Sequence, residues 1–298
     1  MKKAFLLVFI VATIFSLVGC SAVSYFAPTV TLTDDFGRQI KVPNHPKRII
    51  SMAPNITEFL FALGLNDKIV GVTDMCDYPP AAINTPKIGG YFSPPIENII
   101  SLKPDLVVAD ALNKTVVEQL DALNIPVLVL NPSTIAQVMS NALLLGKATG
   151  TTKAAEKIVK DIQSALTEVE SKLLPISFRP TVYYEVWFPP IMTAGPSTFL
   201  HDLITKAGGH NMAYDSPSNY PVFSLEVLMV RNPQVIIYGH TRTETTADIA
   251  GRDGWQSISA VTTGRIYKLD ENLLLRSGPR VGEALLLLAK TIHPTLWK

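Results

Sequence analysis

Apolar residues along this chain fall into short unbroken runs separated by stretches with helical spacing. The runs occur at Arg48–Met52, Ile69–Val72, Leu106–Ala109 and Val127–Leu130, then again at Thr181–Trp187, Val235–Gly239 and Gly264–Leu269. A Val/Ile-rich run bounded by Pro or Gly reads as a strand buried on both faces. Between the runs lie predicted helices at Asn55–Leu63, Lys114–Leu123, Thr198–Ala207 and Val281–Ile292. Asn55 is the expected N-cap of the first, and Gly64 its stop. Strand, helix, strand at these lengths predicts parallel α/β sheets. Ahead of them, Thr29–Val42 alternates apolar and polar residues around Asp34-Asp35-Phe36-Gly37, a hairpin signal. The polar stretch Thr241–Gly254 reads as loop or helix, and Asp270–Pro279 as a loop carrying Arg276.

One helical region is longer than the rest. Thr134–Leu174 is interrupted at Gly146 and Gly150 and then runs free of Gly and Pro from Thr151. Ile158, Ile162, Ala165, Val169 and Leu173 form its apolar stripe. A helix of that length, placed between two α/β halves, would be a stiff connector. The simpler reading is one more packed helix of a single domain.

A repeat decides between the two. Tyr91–Asp105 reads YFSPPIENIISLKPD, and Tyr220–Gln234 reads YPVFSLEVLMVRNPQ. Tyr91, Glu97 and Pro104 recur as Tyr220, Glu226 and Pro233, each 129 positions later, and a strand-like run follows each proline. Two copies, one on each side of the long helix, predict two similar lobes. Each lobe offers an aromatic ring and a carboxylate at a matching place. Taken singly, a Glu opening a helix complements the helix dipole, and a Tyr beside proline packs. The shared spacing raises the functional alternative.

Composition narrows the class. A chain of 298 residues with 47% hydrophobic and 17% charged residues suits a two-domain globular protein. Net charge is +1, and without the first nineteen residues 24 basic face 25 acidic side chains, so nothing favours nucleic acid. Lys2, Lys3 and the apolar run Ala4–Val18 form an export signal, too short for a comfortable membrane span. It ends in Leu17-Val18-Gly19-Cys20, which resembles a bacterial lipobox, with cleavage before Cys20 and lipid on its sulfur. With Cys20 so used, Cys76 has no intramolecular partner and is expected to be a small buried hydrophobe. The expected division is 1–19 signal, 20–28 tether, 29–150 first lobe, 151–175 connecting helix and 176–298 second lobe.

Catalytic signatures are missing. There is no GxxxxGK[ST], GxSxG, HExxH or CxxC, and the five histidines show no metal-ligand spacing. Two other classes remain: an exported hydrolase using Asp77 or His210, and a structural surface protein. Aromatics near loops, among them Tyr78, Tyr91, Phe92, Trp187 and Tyr220, would wall a large flat ligand if they share a cleft.

Longer stretches carry a resemblance. Thr33–Gly64 (TDDFGRQIKVPNHPKRIISMAPNITEFLFALG) and IENIISLKPDLVVA are similar to substrate-binding proteins of the iron-siderophore, haem and cobalamin ABC importers. DYPP at Asp77–Pro80, FPPIMTAGPST at Phe188–Thr198 and LLLRSGPRVGEAL at Leu273–Leu285 most resemble the cobalamin branch. The resemblance implies a class III fold: two Rossmann-like α/β lobes on one long rigid helix, closing little around a ligand held between them. It implies a monomeric, extracytoplasmic, lipid-anchored carrier that does no chemistry and carries no cofactor or metal of its own. Glu97 and Glu226 would pair with arginines of a twofold permease dimer. In the cobalamin branch two tryptophans flank the corrin; Tyr91 and Tyr220 stand there in this sequence. Arg276 matches that branch's arginine, whereas its acid is replaced by Asn272. The implied ligand site is Asp77, Tyr78, Tyr91, Phe92, Trp187, Gly195, Tyr220, Asn272 and Arg276, with cobalamin as ligand and a ferric siderophore or haem as the alternative.

Overall fold

The structure is a computed structural model and describes residues 28–239 and 243–297. The export signal, Cys20, His240 and most of the tether lie outside the described residues.

Two four-stranded parallel sheets form the frame. The first runs Ile69–Val72, Ile49–Ser51, Leu106–Asp110, Val127–Leu130 across its width. The second runs His210–Asn211, Thr181–Glu185, Val235–Tyr238, Ile266–Lys268. Both have the same winding: the first strand of each lobe is central, the second lies to one side, and the third and fourth follow on the other. The repeat therefore enters the equivalent strand in each lobe, Leu106–Asp110 and Val235–Tyr238.

Strand pleating sorts the apolar runs into layers. Ile49, Leu106, Val108, Leu128 and Leu130 point into one core, while Ile50, Val107, Ala109, Val127 and Val129 point into another. In the second lobe Val182, Tyr184, Val235 and Ile237 join the first of these cores, and Tyr183, Ile236 and Tyr238 form a third. The shared core runs through the Thr152–Leu173 helix, whose Ala155, Ile158, Ile162, Ala165, Leu166, Val169 and Leu173 are buried. At about 1.5 Å per residue its 22 residues span about 33 Å. The expected stripe is thus the connector's buried face, widened by Ala155 and Leu166. The helices Ile135–Thr149 and Val281–Ile292 pack along it.

Several local expectations need correction. Asn55 caps nothing: the first helix is Pro54–Ala62, its N-cap is Ala53, and Pro54 opens it. Proline suits that place because its missing N–H would have no partner there anyway. Gly146 does not interrupt its helix. It sits inside Ile135–Thr149, where a Cβ would come within 2.5 Å of the Ala155 Cβ, so its missing side chain lets the next helix approach. Gly150 alone ends that helix, at φ 74°. Asp270–Pro279 contains a helix, Glu271–Leu275, begun by Asp270 accepting from the Asn272 N–H. The hairpin pairs Thr29–Thr33 with Gln39–Pro43, and its turn does more than reverse the chain. Asp34 accepts from Val129 N, Asp35 from Asn131 N, and Arg38 donates to Val127 O, which covers the edge of the Val127–Leu130 strand. Cys76 is buried as expected, but polar in its contacts: Sγ lies 3.1 Å from Thr57 Oγ1 and 3.2 Å from Thr73 Oγ1.

Candidate functional site

Residues that follow strand C-termini converge between the lobes. Pro54 and Asn55 follow Ile49–Ser51, Met75 follows Ile69–Val72, Asp110 ends Leu106–Asp110, and Glu271, Asn272, Leu275, Arg276 and Ser277 follow Ile266–Lys268. These residues and Tyr91 enclose a cavity of about 340 Å³. Open parallel sheets place ligands there because loops and helix N-termini gather at that edge. Of the expected site residues, Tyr91, Asn272 and Arg276 line this cavity.

Tyr91 and Tyr220 both lie near enough to Asp110 to feel its charge. Tyr91 hydrogen-bonds the Asp110 side chain, whose Oδ1 also accepts from the Leu112 N–H at 2.9 Å. Burial first, then the Asp110 charge, then that hydrogen bond raise the Tyr91 phenol, and Tyr220 adds to the effect. Tyr220 is raised by burial and by Asp110. Burial lifts the Asp110 carboxyl above its ordinary value, and its bonds to Leu112 N and Tyr91 oppose this. Asn113 Nδ2 donates to Tyr91 O at 2.6 Å and fixes the backbone.

An ion cluster spans the lobes beside the cavity. Arg276 Nη1 lies 3.1 Å from Glu58 Oε1 and 2.7 Å from Asp77 Oδ1, and Nη2 donates to Asn272 Oδ1 at 3.0 Å. Arg280 holds the buried Glu58 by two bonds, Nε–Oε2 at 2.8 Å and Nη2–Oε1 at 2.7 Å, and lies 3.9 Å over the Tyr78 ring. Asn55 Nδ2 contacts Ser277 O and Oγ at 3.4 Å. Burial pushes the Asp77 carboxyl up, but the Arg276 hydrogen bond and charge outweigh it and hold the group below its ordinary value. Asp77, Arg276 and Asn272 thus bind one another. Glu58, Arg280 and Asp110 were not foreseen. Glu58 had a signal: it is the only charge in the apolar PNITEFLFA segment.

Other expected residues lie outside this lining as exposed rings, and Tyr78 lines a separate cavity with Glu58, Arg280 and the long helix. Phe92 is 65% exposed, Tyr220 56%, Trp187 50% and Tyr78 42%, unusually open for large rings. Phe92 tilts against Tyr91 with centroids 4.9 Å apart. Trp187 follows the C-terminus of Thr181–Glu185, next to Phe188. Arg252 lies 3.6 Å over the Phe188 ring and pairs with buried Glu185 at 2.5 and 3.0 Å, which holds that loop in place. Gly195 is not in the cavity: a Cβ there would meet Ser218 O at 2.0 Å, and its N–H donates to Asn219 O. It serves the loop that carries Tyr220.

A larger cavity, about 780 Å³, lies between the C-terminal end of the long helix and the His210 end of the second sheet. It is lined by the connector and second lobe alone, with His201, His210 and Tyr214, so it lacks the two-lobe construction. His210 stands at the N-terminal edge of its sheet, paired in register with Thr181, whereas Asp77 is at the cleft. The two side chains weighed for hydrolysis are therefore apart. Among the described residues no three or more His, Cys, Asp or Glu are grouped to hold a metal ion.

Glu97 and Glu226 are exposed in the first turns of Ile96–Ser101 and Leu225–Arg231, the helices that lead into the equivalent strands. Hydrogen bonds to the Ser224 side chain and to its own backbone N–H lower the Glu226 carboxyl, keeping it charged. Ile100, Val227, Met229 and Val230 stand exposed beside them.

Two parallel α/β lobes on a helical spine, with a cleft between strand C-termini, define a class of two-lobed carrier. Residues 49–273 match the periplasmic binding protein family, and the chain belongs to it. It is 33% identical over 277 residues to an uncharacterised ABC transporter substrate-binding lipoprotein, YvrC, of Bacillus subtilis, covering 90% of this chain and 87% of that one. A cobalamin-binding protein of Halobacterium salinarum is 30% identical over 277 residues, covering 89% and 74%. The apo structure of a periplasmic haem-binding protein, RhuT from Roseiflexus, superposes with TM-score 0.75 at 26% identity, covering 84% and 99%. The chain is thus a substrate-binding protein of an ABC importer, an extracytoplasmic carrier and not an enzyme.

Proposed function

We propose that this protein captures a corrinoid, in the first instance cobalamin, between its lobes and delivers it to a permease. The observation that carries this is that Tyr91 and Tyr220, one from each copy of the repeat, both interact with Asp110 in the wall of an amide-lined cavity. A flat macrocycle offers two faces, and aromatic rings from two lobes can cover both. Corrin carries amides at its edge, which suit Asn55, Asn272 and Ser277. A cavity of 340 Å³ is small for such a ligand, so the macrocycle's outer part would rest on exposed rings such as Phe92 and Trp187. The resemblance to a named cobalamin-binding protein supports the choice. Haem is the second reading, since the same aromatic walls admit it and a haem-binding structure shares the fold.

Trp187 makes a built-in reporter. Cyanocobalamin should quench tryptophan fluorescence saturably. Tyr220→Ala should weaken binding about tenfold or more, the scale of one lost aromatic contact, while Tyr220→Trp retains it. Saturable binding of haem with none of cyanocobalamin rejects the corrinoid reading. In the same reading Cys20 carries the lipid anchor, and Glu97 with Glu226 meets the permease.

A further inference from the structure

We infer that the cleft is a charge filter, in which Asp110 and an already neutralised arginine pair reject macrocycles bearing peripheral carboxylates. The inference rests on the two-lobe binding site proposed above and adds the ligand's charge class.

Two observations point the same way. Arg276 is the sole cation among the described residues lining the cleft, and it is spent. Its Nη1 faces Glu58 and Asp77, and its Nη2 faces Asn272. Arg280 behind it is held by both oxygens of Glu58. Two guanidinium groups thus meet two carboxylates inside the protein. A carboxylate on a ligand would have to displace Asp77 or Glu58 to gain an ion pair.

Asp110 supplies the repulsive half. It lines the cavity beside Tyr91, ends a buried strand, and is held by Leu112 N and Tyr91. An amide at the ligand edge can donate to Asp110, whereas a carboxylate there would meet like charge with poor solvation. An unfavourable contact against the wrong ligand is one of the two ways a site discriminates between close isosteres. Burial of Asp110 also favours its protonated form, which would relax the filter in acid. Tyr91, Tyr220, Glu271 and Arg276 are the charged or titratable groups around it.

The experiment compares isosteres by titration of the full exported chain. Cyanocobalamin is set against its monocarboxylic derivatives, in which one peripheral amide is replaced by carboxylate. Haem is set against its dimethyl ester, and a ferric tricatecholate serves as a trianionic probe. The neutral partner of each pair should bind about tenfold or more tighter, as one like charge in a partly desolvated cleft requires. In Asp110→Asn, which preserves the capping acceptor, the ratio within each pair should fall toward one. Ratios near one in the unmodified protein overturn the filter, as does tight binding of the tricatecholate. Dimethyl-ester haem binding well, with no cyanocobalamin binding, leaves the filter standing and removes the corrinoid reading. Failure of every neutral macrocycle to bind overturns both.

Discussion

At the scale of single residues, Asp77 and Asp110 are two cleft carboxylates with opposite shifts. Asp77 is held below its ordinary value by Arg276, so it stabilises the fold at pH above its unfolded value and loses that contribution as pH falls through its folded value. Asp110 is raised by burial, so its ionisation costs stability, and the cost appears as pH rises through its folded value. Denaturant titrations from neutrality to acid should therefore show Asp77→Asn less acid-sensitive than the unmodified chain below about pH 4. The difference should stay under about 1 kcal/mol, because Asp77 is half exposed and solvent screens the pair. Identical acid profiles would mean that the Arg276–Asp77 contact contributes nothing. What a linear reading could recognise here was residue type: Asp77, Asn272 and Arg276 were all picked out. It took folding to show that they satisfy one another, because Asp77 is 199 positions from Arg276, although Asn272 is only four away.

Among elements, the long connector was legible and its neighbour was misjudged. Five apolar residues at helical spacing announced the buried face of Thr152–Leu173, and all five are buried. Gly146 looked like a helix breaker because glycine has low helix propensity. In the fold it is a contact point, where the absent Cβ lets two helices touch at Ala155. Gly146→Val should lower stability by about 1–3 kcal/mol by overpacking this crossing. The denaturant midpoint should fall with an unchanged slope. An unshifted midpoint would return Gly146 to the role of a tolerated helix glycine. Asn55 makes the same point from the other side. A good N-cap residue one position from a helix start was overruled by Pro54, and its amide instead reaches Ser277 in the other lobe.

For the whole molecule, the internal repeat has its clearest consequence. Both sheets are wound alike, so within the repeat residues 129 positions apart enter equivalent strands, and Glu97 and Glu226 present similar charges on similar helices. A twofold permease needs such a pair to fix orientation, although each exposed ion pair is worth only about 0–1 kcal/mol alone. Glu97→Ala combined with Glu226→Ala should abolish uptake in cells while the purified protein's ligand affinity persists. Cys20→Ser should release the protein from the membrane fraction. Full uptake by the double variant, or loss of ligand binding with it, would break the assignment of these residues to docking.

Local pattern by itself settled seven of the eight strands of the two sheets, missing the two-residue edge strand His210–Asn211, and it settled where the long helix runs, that the halves are copies, and which aromatic and acidic residues recur. These depend on periodicity and on short-range backbone preference, and both are written in neighbouring residues. The tertiary structure alone decided which polar groups meet. It placed Glu58 between two arginines from the far end of the chain, turned Arg276 inward, brought Asp110 close to both tyrosines, and packed Gly195 against the loop that carries Tyr220. Such pairings depend on how two lobes are set against a shared helix, and no window of sequence contains both sides of that contact.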